Sequence, residues 1–171
     1  MNRGFQWTSV LPSSWVCNLA TLGPLGYWGK APGTVGSVAG IFLYLVFFYT
    51  LAPLYYVLLL AFLLYFAVGI CAEAEVRMQK HDPSEVILDE FIAIPFCFIG
   101  LRGYMMDHWP WLILLLGFGL FRLFDITKPL IVGKLQDLRG GWGVVMDDVA
   151  AAVLTCVCLH IGVAAWAYFV G

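Results

Sequence analysis

The C-terminal stretch RGGWGVVMDDVAAAVLTCVCLHIGVAAWAYFV, residues 139–170, decides the fold class. Its glycine-rich first part ends in two adjacent carboxylates, Asp147 and Asp148, and the remainder, Val149 to Val170, contains no charged residue. An apolar helix of about 20 residues crosses the hydrocarbon core of a bilayer. We therefore predict a membrane-spanning helix with a glycine loop and an acidic pair at its mouth. Carboxylates at such a place are energetically expensive, which indicates a functional role.

Composition extends the membrane interpretation to the whole chain. Of the 171 residues, 62% are hydrophobic and 12% are charged, whereas soluble domains carry about 25% charged residues. The formal net charge of −2 leaves no basic patch, which argues against nucleic acid as a partner. The five cysteines contain no CxxC pair and lie mostly in apolar surroundings, a pattern typical of reduced packing residues.

Apolar runs separated by polar turns predict about five hydrophobic helices. The runs cover residues 35–52, 54–72, 86–101, 111–124 and 149–170. The third run is short, and Pro95 is expected to kink it. Residues 1–34, rich in Gly, Pro and Trp, are predicted to form an interfacial or re-entrant segment instead of a span. We expect an all-α, polytopic helical membrane protein, with one domain over residues 1–171 and membrane helices and loops over residues 35–170.

The cations predict the orientation of this bundle. A five-span path places three polar regions on one side, and these hold Lys30, Arg77, Lys80, Arg122, Lys128, Lys134 and Arg139. The turns on the other side hold only Arg102. The positive-inside rule then puts the cation-rich side in the cytoplasm. Five acids fall on the same side, namely Asp89, Glu90, Asp125, Asp147 and Asp148, so a polar site is expected at the cytoplasmic face.

Four of these acids form two adjacent pairs, Asp89–Glu90 and Asp147–Asp148. Neighbouring side chains on a helix point about 100° apart, so one member of each pair can face a shared centre. Carboxylate oxygens without a histidine–cysteine cluster suit Mg²⁺. The alternative is that the acids stabilise the beginnings of helices, where negative charge is favoured.

A second group of charges, Arg122, Asp125 and Lys128, lies at the end of the fourth run. The three residues share one face if the helix continues to Lys128. This spacing fits an ion-pair ladder at a helix end. It equally fits a phosphate site in which Arg122 and Lys128 bind the phosphate and Asp125 orients them or joins the metal.

Two further segments offer candidate ligands. Residues 30–37, KAPGTVGS, form a Pro/Gly turn that leads into the first run, and the N–H groups of such a helix start favour an anion. Lys30 and Thr34 are therefore candidate phosphate ligands, although an ordinary capped helix start has the same pattern. His81 and Asp82, in the charged loop before the third run, are additional candidates, and a lone histidine in such a loop is also typical of a solvated residue.

Four stretches, in order along the chain, resemble the phosphatidylglycerophosphatase A family. They are APGTVGS at 31–37, HDPSEVILDEF at 81–91, FRLFDITKP at 121–129 and GGWGVVMDD at 140–148. The resemblance implies a Mg²⁺-dependent enzyme of the bacterial inner membrane. Such an enzyme removes the terminal phosphate of phosphatidylglycerophosphate and leaves phosphatidylglycerol and inorganic phosphate. Its partners are the phospholipid substrate and the bilayer, and the oligomeric state is left open.

The resemblance and the acids together suggest a metal site. Mg²⁺ would lie between Asp89 or Glu90 on one side and Asp147 or Asp148 on the other, where it polarises the phosphate.

The remaining phosphate oxygens would be bound by the cations Arg122 and Lys128. A metal-bound water, or a carboxylate such as Asp125, would supply the attack or its base. The candidate catalytic residues are Asp89, Asp125 and Asp148.

Two other classes of function compete with a phosphatase. An ion-coupled transporter or channel subunit also carries intramembrane acids, but these would lie near the middle of the membrane. Here the acids gather at one face, beside glycine loops and cations, which favours an enzyme. A structural subunit without chemistry leaves the acids unexplained.

Overall fold

The computed structural model describes residues 5–107, 109–129, 135 and 141–170, and helices are the only regular secondary structure in these ranges. The helices are α1 (Gln6–Ser9), α2 (Ser13–Ala20), α3 (Pro32–Leu43), α4 (Pro53–Met78), α5 (Leu88–Ala93), α6 (Arg102–Asp107), α7 (Pro110–Thr127) and α8 (Gly141–Val170). A π-helical turn, Tyr44–Phe48, prolongs α3, and 3-10 turns cover Leu25–Tyr27 and Ile94–Phe98. The predicted all-α class is confirmed.

Three helices, α4, α7 and α8, are long and apolar enough to cross a membrane. They contain the second, fourth and fifth predicted runs, and many of their large apolar side chains are exposed, as expected for contact with lipid. The first run forms a shorter apolar helix, Pro32–Phe48. The predicted number of about five spanning helices is therefore not confirmed.

The third predicted run does not form one continuous helix. After the six residues of α5 the chain tightens into a 3-10 turn at Ile94, because Pro95 lacks the N–H that would continue the α-helical bonding pattern. Gly100, at φ 78°, then lets the chain turn away. Most of this segment is buried, so α5 is a short helix held inside the bundle.

Glycines on α3 allow α5 to approach it closely. A Cβ atom at Gly36 would lie 2.9 Å from the carbonyl oxygen of Ile87, and one at Gly40 would lie 2.7 Å from that of Phe91. Since real Cβ atoms do not approach carbonyl oxygens so closely, only glycine fits at these two positions. The start of α5, which carries Asp89 and Glu90, is thereby placed directly against α3.

The helix α8 begins earlier than expected, at a glycine that packs closely against α4. The stretch that ends at Asp148 was predicted to be a glycine loop, but it is helical from Gly141 onward. A Cβ atom at Gly141 would lie 2.6 Å from the backbone nitrogen of Ala72 and would overlap the carbonyl of Val68. The glycine thus serves the contact between α8 and α4, and the predicted glycine loop is wrong from Gly141 onward.

The N-terminal helices lie against the C-terminal half of α4. Arg77 donates a hydrogen bond of 2.8 Å to Glu73 and one of 2.7 Å to the hydroxyl of Ser13 at the start of α2. With four and eight residues, α1 and α2 are too short to cross a membrane.

One end of the bundle collects the polar side chains. At this end α3 and α8 begin and α4 and α7 end, as shown by the contacts of Ser37 with Arg122 and of Lys128 with Asp147, and by the close approach of Gly141 to Ala72 on α4. We call it the polar end.

Candidate metal and phosphate site

Three carboxylates from two helices converge at the polar end. Asp89 and Glu90 lie in the first turn of α5, and Asp148 comes from α8. One oxygen of each residue lies within 4.8 Å of the others. We call these three residues the acid cluster. Because Asp89 and Asp148 are only 5% exposed, water screens their mutual repulsion poorly, and a bound cation would relieve it.

The two acidic pairs behave differently. Both members of the α5 pair join the acid cluster, whereas only Asp148 of the α8 pair does so. Asp147 turns away and accepts a hydrogen bond of 2.5 Å from Nζ of Lys128. The pair also lies about two turns inside α8, which begins at Gly141. The alternative that Asp147 and Asp148 stabilise the beginning of a helix is therefore wrong, although Asp89 and Glu90 do occupy the first turn of theirs.

The chemistry of the acid cluster fits Mg²⁺. Its donors are all carboxylate oxygens, which hard divalent cations prefer. Glu90 Oε2 is buried and has no hydrogen-bond partner among the described residues, so it is free to act as a ligand. Burial, and next the negative charge of Glu90, raise the pKa of the Asp89 carboxyl well above its usual range. A cation held by these oxygens would favour their charged forms.

Arg122, on α7, connects the acid cluster to α3 as well as to its own helix. Its Nη1 atom donates a hydrogen bond of 2.6 Å to Asp125 and one of 3.3 Å to the hydroxyl of Ser37, and it lies 3.9 Å from Oε1 of Glu90. Its Nε atom is buried and has no partner within the described ranges. A guanidinium in this position can neutralise a phosphate bound beside the acids.

Lys128 does not continue the charge ladder of α7. The helix ends at Thr127, and Lys128 has a left-handed conformation with φ 43°. This turn directs the side chain to Asp147, so the expectation that Arg122, Asp125 and Lys128 share one helical face is wrong for Lys128. Partial burial would lower the pKa of Lys128, but the hydrogen bond and charge of Asp147 outweigh it and raise that pKa. Lys128 is thus a cation at neutral pH.

The beginning of α3 contributes different residues from those predicted. Lys30 is exposed and Thr34 is half-buried, and within the described ranges neither side chain forms a hydrogen bond or ion pair. Gly33 and Ser37 meet the site instead, because a Cβ atom at Gly33 would overlap Oε1 of Glu90 and Ser37 contacts Arg122. The spacing of four residues, which puts both on one face of a helix, could have identified them.

The structure does not bring the candidates His81 and Asp82 into the acid cluster. Both are exposed, and both contact Oε1 of Glu75, through Nδ1 of His81 at 2.6 Å and the backbone N–H of Asp82 at 2.8 Å. The hydrogen bond and charge of Glu75 raise the pKa of His81. Two of the cations used for the orientation, Lys134 and Arg139, lie outside the described residues.

Comparison with known proteins places this geometry in a family. The model of the phosphatidylglycerophosphatase A family matches residues 18–163, which include the whole acid cluster and Arg122. The chain is 35% identical over 145 residues to a candidate phosphatidylinositol-3-phosphatase of Bacteroides thetaiotaomicron, covering 82% of this chain and 87% of that protein.

Two relatives carry the family name itself. The chain is 32% identical over 128 residues to the phosphatidylglycerophosphatase A of Haemophilus influenzae, covering 74% of this chain and 76% of the relative. It is 32% identical over 131 residues to that of Escherichia coli, covering 75% and 72%. No solved structure is significantly similar.

Proposed function

The chain belongs to the phosphatidylglycerophosphatase A family of lipid phosphatases, and we propose that it hydrolyses the terminal phosphate monoester of phosphatidylglycerophosphate. The products are phosphatidylglycerol and inorganic phosphate. The observation that carries this proposal is the position of Arg122, whose Nη1 lies 3.9 Å from Glu90 of the acid cluster. A cation beside a set of metal ligands suits a phosphate dianion, because transfer of a phosphoryl group depends on positioning and charge neutralisation.

The acid cluster is proposed to hold Mg²⁺ through Asp89, Glu90 and Asp148. When bound there, Mg²⁺ would neutralise charge on the phosphate oxygens and polarise the phosphorus centre. This assignment is supported by the all-oxygen donor set and by the buried, unpartnered Oε2 of Glu90. The hydrogen bond from Lys128 holds Asp147 away from the cluster, so we assign Asp147 to the support of α8 rather than to the metal.

The other charged residues are assigned to binding and orientation. Arg122 binds the phosphate, and Asp125 orients Arg122 through the hydrogen bond of 2.6 Å. A carboxylate engaged in so short a bond to a guanidinium is a poor nucleophile, so we assign the attack to water. The oxygen of water bonds to phosphorus and the ester P–O bond breaks. One proton of that water passes to the leaving oxygen and restores the hydroxyl of the glycerol headgroup, and the other stays with the released phosphate.

The position of the charges favours an enzyme over an ion-coupled transporter. The acid cluster, Arg122 and Lys128 all lie at the polar end, where helices begin or end, rather than midway along the long helices. A transporter would carry such groups near the middle of the membrane, accessible in turn from both sides.

The protein is a membrane protein, and we propose that it lies in the bacterial inner membrane with the polar end facing the cytoplasm. This orientation is supported by the described cations, since Arg77, Arg122 and Lys128 lie at the polar end. Arg102 lies at the other end, near the carbonyl of Leu51. Positive residues are enriched on the cytoplasmic side of inner-membrane proteins.

We further propose that the N-terminal segment lies in the membrane–water interface. It exposes the aromatic side chains of Trp15, Tyr27 and Trp28. Between residues 4 and 29 the sequence has no charged residue. Tryptophan and tyrosine are enriched at this depth because their rings are apolar and carry a polar group.

Phosphate release from the purified protein in detergent tests the proposed activity. Phosphatidylglycerophosphate, phosphatidic acid and phosphatidylinositol 3-phosphate would be compared, each with Mg²⁺ and with a chelator. We expect the fastest release from phosphatidylglycerophosphate, loss of activity on chelation and recovery when Mg²⁺ is restored. Preference for phosphatidylinositol 3-phosphate would overturn the headgroup assignment, and activity unaffected by chelation would overturn the metal assignment.

A further inference from the structure

We propose that Ser37 is a positioning residue, whose buried hydroxyl holds the guanidinium of Arg122 in place to bind phosphate. The inference rests on the proposed function, because it takes Arg122 to be the phosphate ligand. Ser37 is 0% exposed. Its hydroxyl accepts a hydrogen bond of 3.3 Å from Nη1 of Arg122 and donates one of 2.8 Å to the carbonyl of Gly33.

Arg122 needs a third partner because its two acidic neighbours act unequally. Nη1 is 2.6 Å from Asp125 but 3.9 Å from Glu90. With these two alone, the long side chain would be drawn towards Asp125 and away from the acid cluster. The hydroxyl of Ser37 adds a contact from α3, so that Nη1 is held by α3 as well as by its own helix.

A neutral acceptor suits this position better than a third carboxylate. The substrate phosphate is a dianion, and a further negative charge beside Arg122 would repel it. A serine hydroxyl offers lone pairs to Nη1 without adding charge. Since its proton goes to the carbonyl of Gly33, the lone pairs remain directed towards the guanidinium.

Gly33 supports the same arrangement from one turn earlier on α3. A Cβ atom there would overlap Oε1 of Glu90 and would lie 3.3 Å from Nη1 of Arg122. Gly33 and Ser37 therefore form one face of α3, which leaves room for Glu90 and holds Arg122.

The competing explanation is that Ser37 only satisfies its own helix, since buried serine and threonine often bond the carbonyl four residues earlier. Thr155 on α8 provides a matched control. It is also 0% exposed, and its hydroxyl donates a hydrogen bond of 2.9 Å to the carbonyl of Ala151. Among the described residues Thr155 contacts neither Arg122 nor the acid cluster. It therefore makes the same kind of bond within its helix as Ser37 but lacks the proposed positioning role.

The experiment compares Ser37→Ala, Thr155→Val and Arg122→Lys, together with the double variant Ser37→Ala/Arg122→Lys, in the full-length protein. A hydrogen bond to a charged group is worth about tenfold or more in an equilibrium constant. We expect Ser37→Ala to lower kcat/KM about tenfold, mainly through a higher KM, and Thr155→Val to change it less than about twofold. In the Arg122→Lys background, Ser37→Ala should have little further effect.

A second readout does not depend on turnover. Inorganic phosphate should raise the melting temperature of the wild-type protein, and Ser37→Ala should need about tenfold more phosphate for the same increase. Three results would each overturn the inference. Ser37→Ala and Thr155→Val could have equal effects, Ser37→Ala could have its full effect in the Arg122→Lys background, or phosphate could fail to stabilise the wild type.

A wrong assignment of the substrate can be distinguished from a wrong assignment of the role of Ser37. If the wild type acts on a different lipid phosphate, the same kinetic comparisons are made with that lipid, and Ser37 is judged by them.

Discussion

Nζ of Lys128 lies 2.5 Å from Oδ2 of Asp147, although the two residues are 19 positions apart in the chain. This contact joins the end of α7 to the first turns of α8. Because Asp147 is bound to Lys128, Asp148 is the residue of this pair that joins the acid cluster. The two adjacent aspartates therefore have different partners, and their substitutions should have different consequences.

Asp148→Asn should lower kcat by more than about 100-fold, because it removes a charged oxygen from the proposed metal site. Asp147→Asn should lower kcat by about 10- to 100-fold, the range typical of residues that hydrogen-bond a metal ligand, because Asp147 also accepts a hydrogen bond of 3.0 Å from the backbone N–H of Asp148. It should also lower the free energy of unfolding by about 2 kcal/mol, since Lys128 loses a charged hydrogen-bond partner. Phosphate release and denaturant unfolding in detergent measure the two effects. Equal losses of activity in both variants would contradict this division of roles.

Mg²⁺ should stabilise the protein through the acid cluster. A ligand that binds only the folded state raises the melting temperature as its concentration exceeds the dissociation constant. We expect the wild type to show this rise on titration with Mg²⁺ in the absence of substrate. Asp89→Asn should weaken or abolish it.

The matched control for this titration is Glu73→Gln, because Glu73 is also buried at the polar end but pairs with Arg77 instead of joining the cluster. This variant should keep the response to Mg²⁺. A normal Mg²⁺ response in Asp89→Asn would exclude the acid cluster as the binding site.

Gly33→Ala should lower kcat/KM by more than about tenfold without preventing insertion in the membrane. The added methyl group would overlap Oε1 of Glu90 and press on Arg122, so the phosphate site must shift. Gly119→Ala is the control, since a Cβ atom at Gly119 on α7 meets nothing within 4 Å. Replacing an exposed helical glycine by alanine typically stabilises a helix by up to about 1 kcal/mol. Comparable loss of activity in the two variants would show that the space beside Glu90 is unimportant.

His81→Gln should leave kcat/KM within about threefold of the wild type, because His81 contacts Glu75 and not the acid cluster. The hydrogen bond and charge of Glu75 raise the pKa of His81 in the folded protein. The stabilisation from this pair is therefore fully present below the unfolded pKa, about 6.5. It is lost as the pH rises through the higher folded pKa. Melting temperatures of both proteins between pH 5 and about 9 test this, and a stability difference that grows with pH would refute the assignment.

Much of the membrane architecture was predictable from local sequence. The runs that became α4, α7 and α8 are long, apolar and free of internal breaks, and a chain in lipid must satisfy its backbone hydrogen bonds within the segment. The effect of Pro95 was also predictable, because the missing N–H is a local property of the residue.

Local sequence was misleading where packing between helices outweighs it. Glycines near Gly141 suggest a loop, but in the folded protein Gly141 begins a helix, and its missing side chain lets that helix lie against Ala72 and Val68. The spacing of Arg122, Asp125 and Lys128 likewise suggests one charged face of α7, but the left-handed turn at Lys128 removes the third residue from that face.

The sequence by itself determined the helical membrane class, the family and the residue types available for chemistry, because apolar run length and the order of motifs are properties of the chain alone. Only the tertiary structure decided which of these residues meet. Asp148 joins the acid cluster while Asp147 pairs with Lys128, and Ser37 rather than Thr34 contacts Arg122. The physical reason is that a helix directs adjacent side chains about 100° apart, and the packing of its neighbours determines which of those directions faces the site.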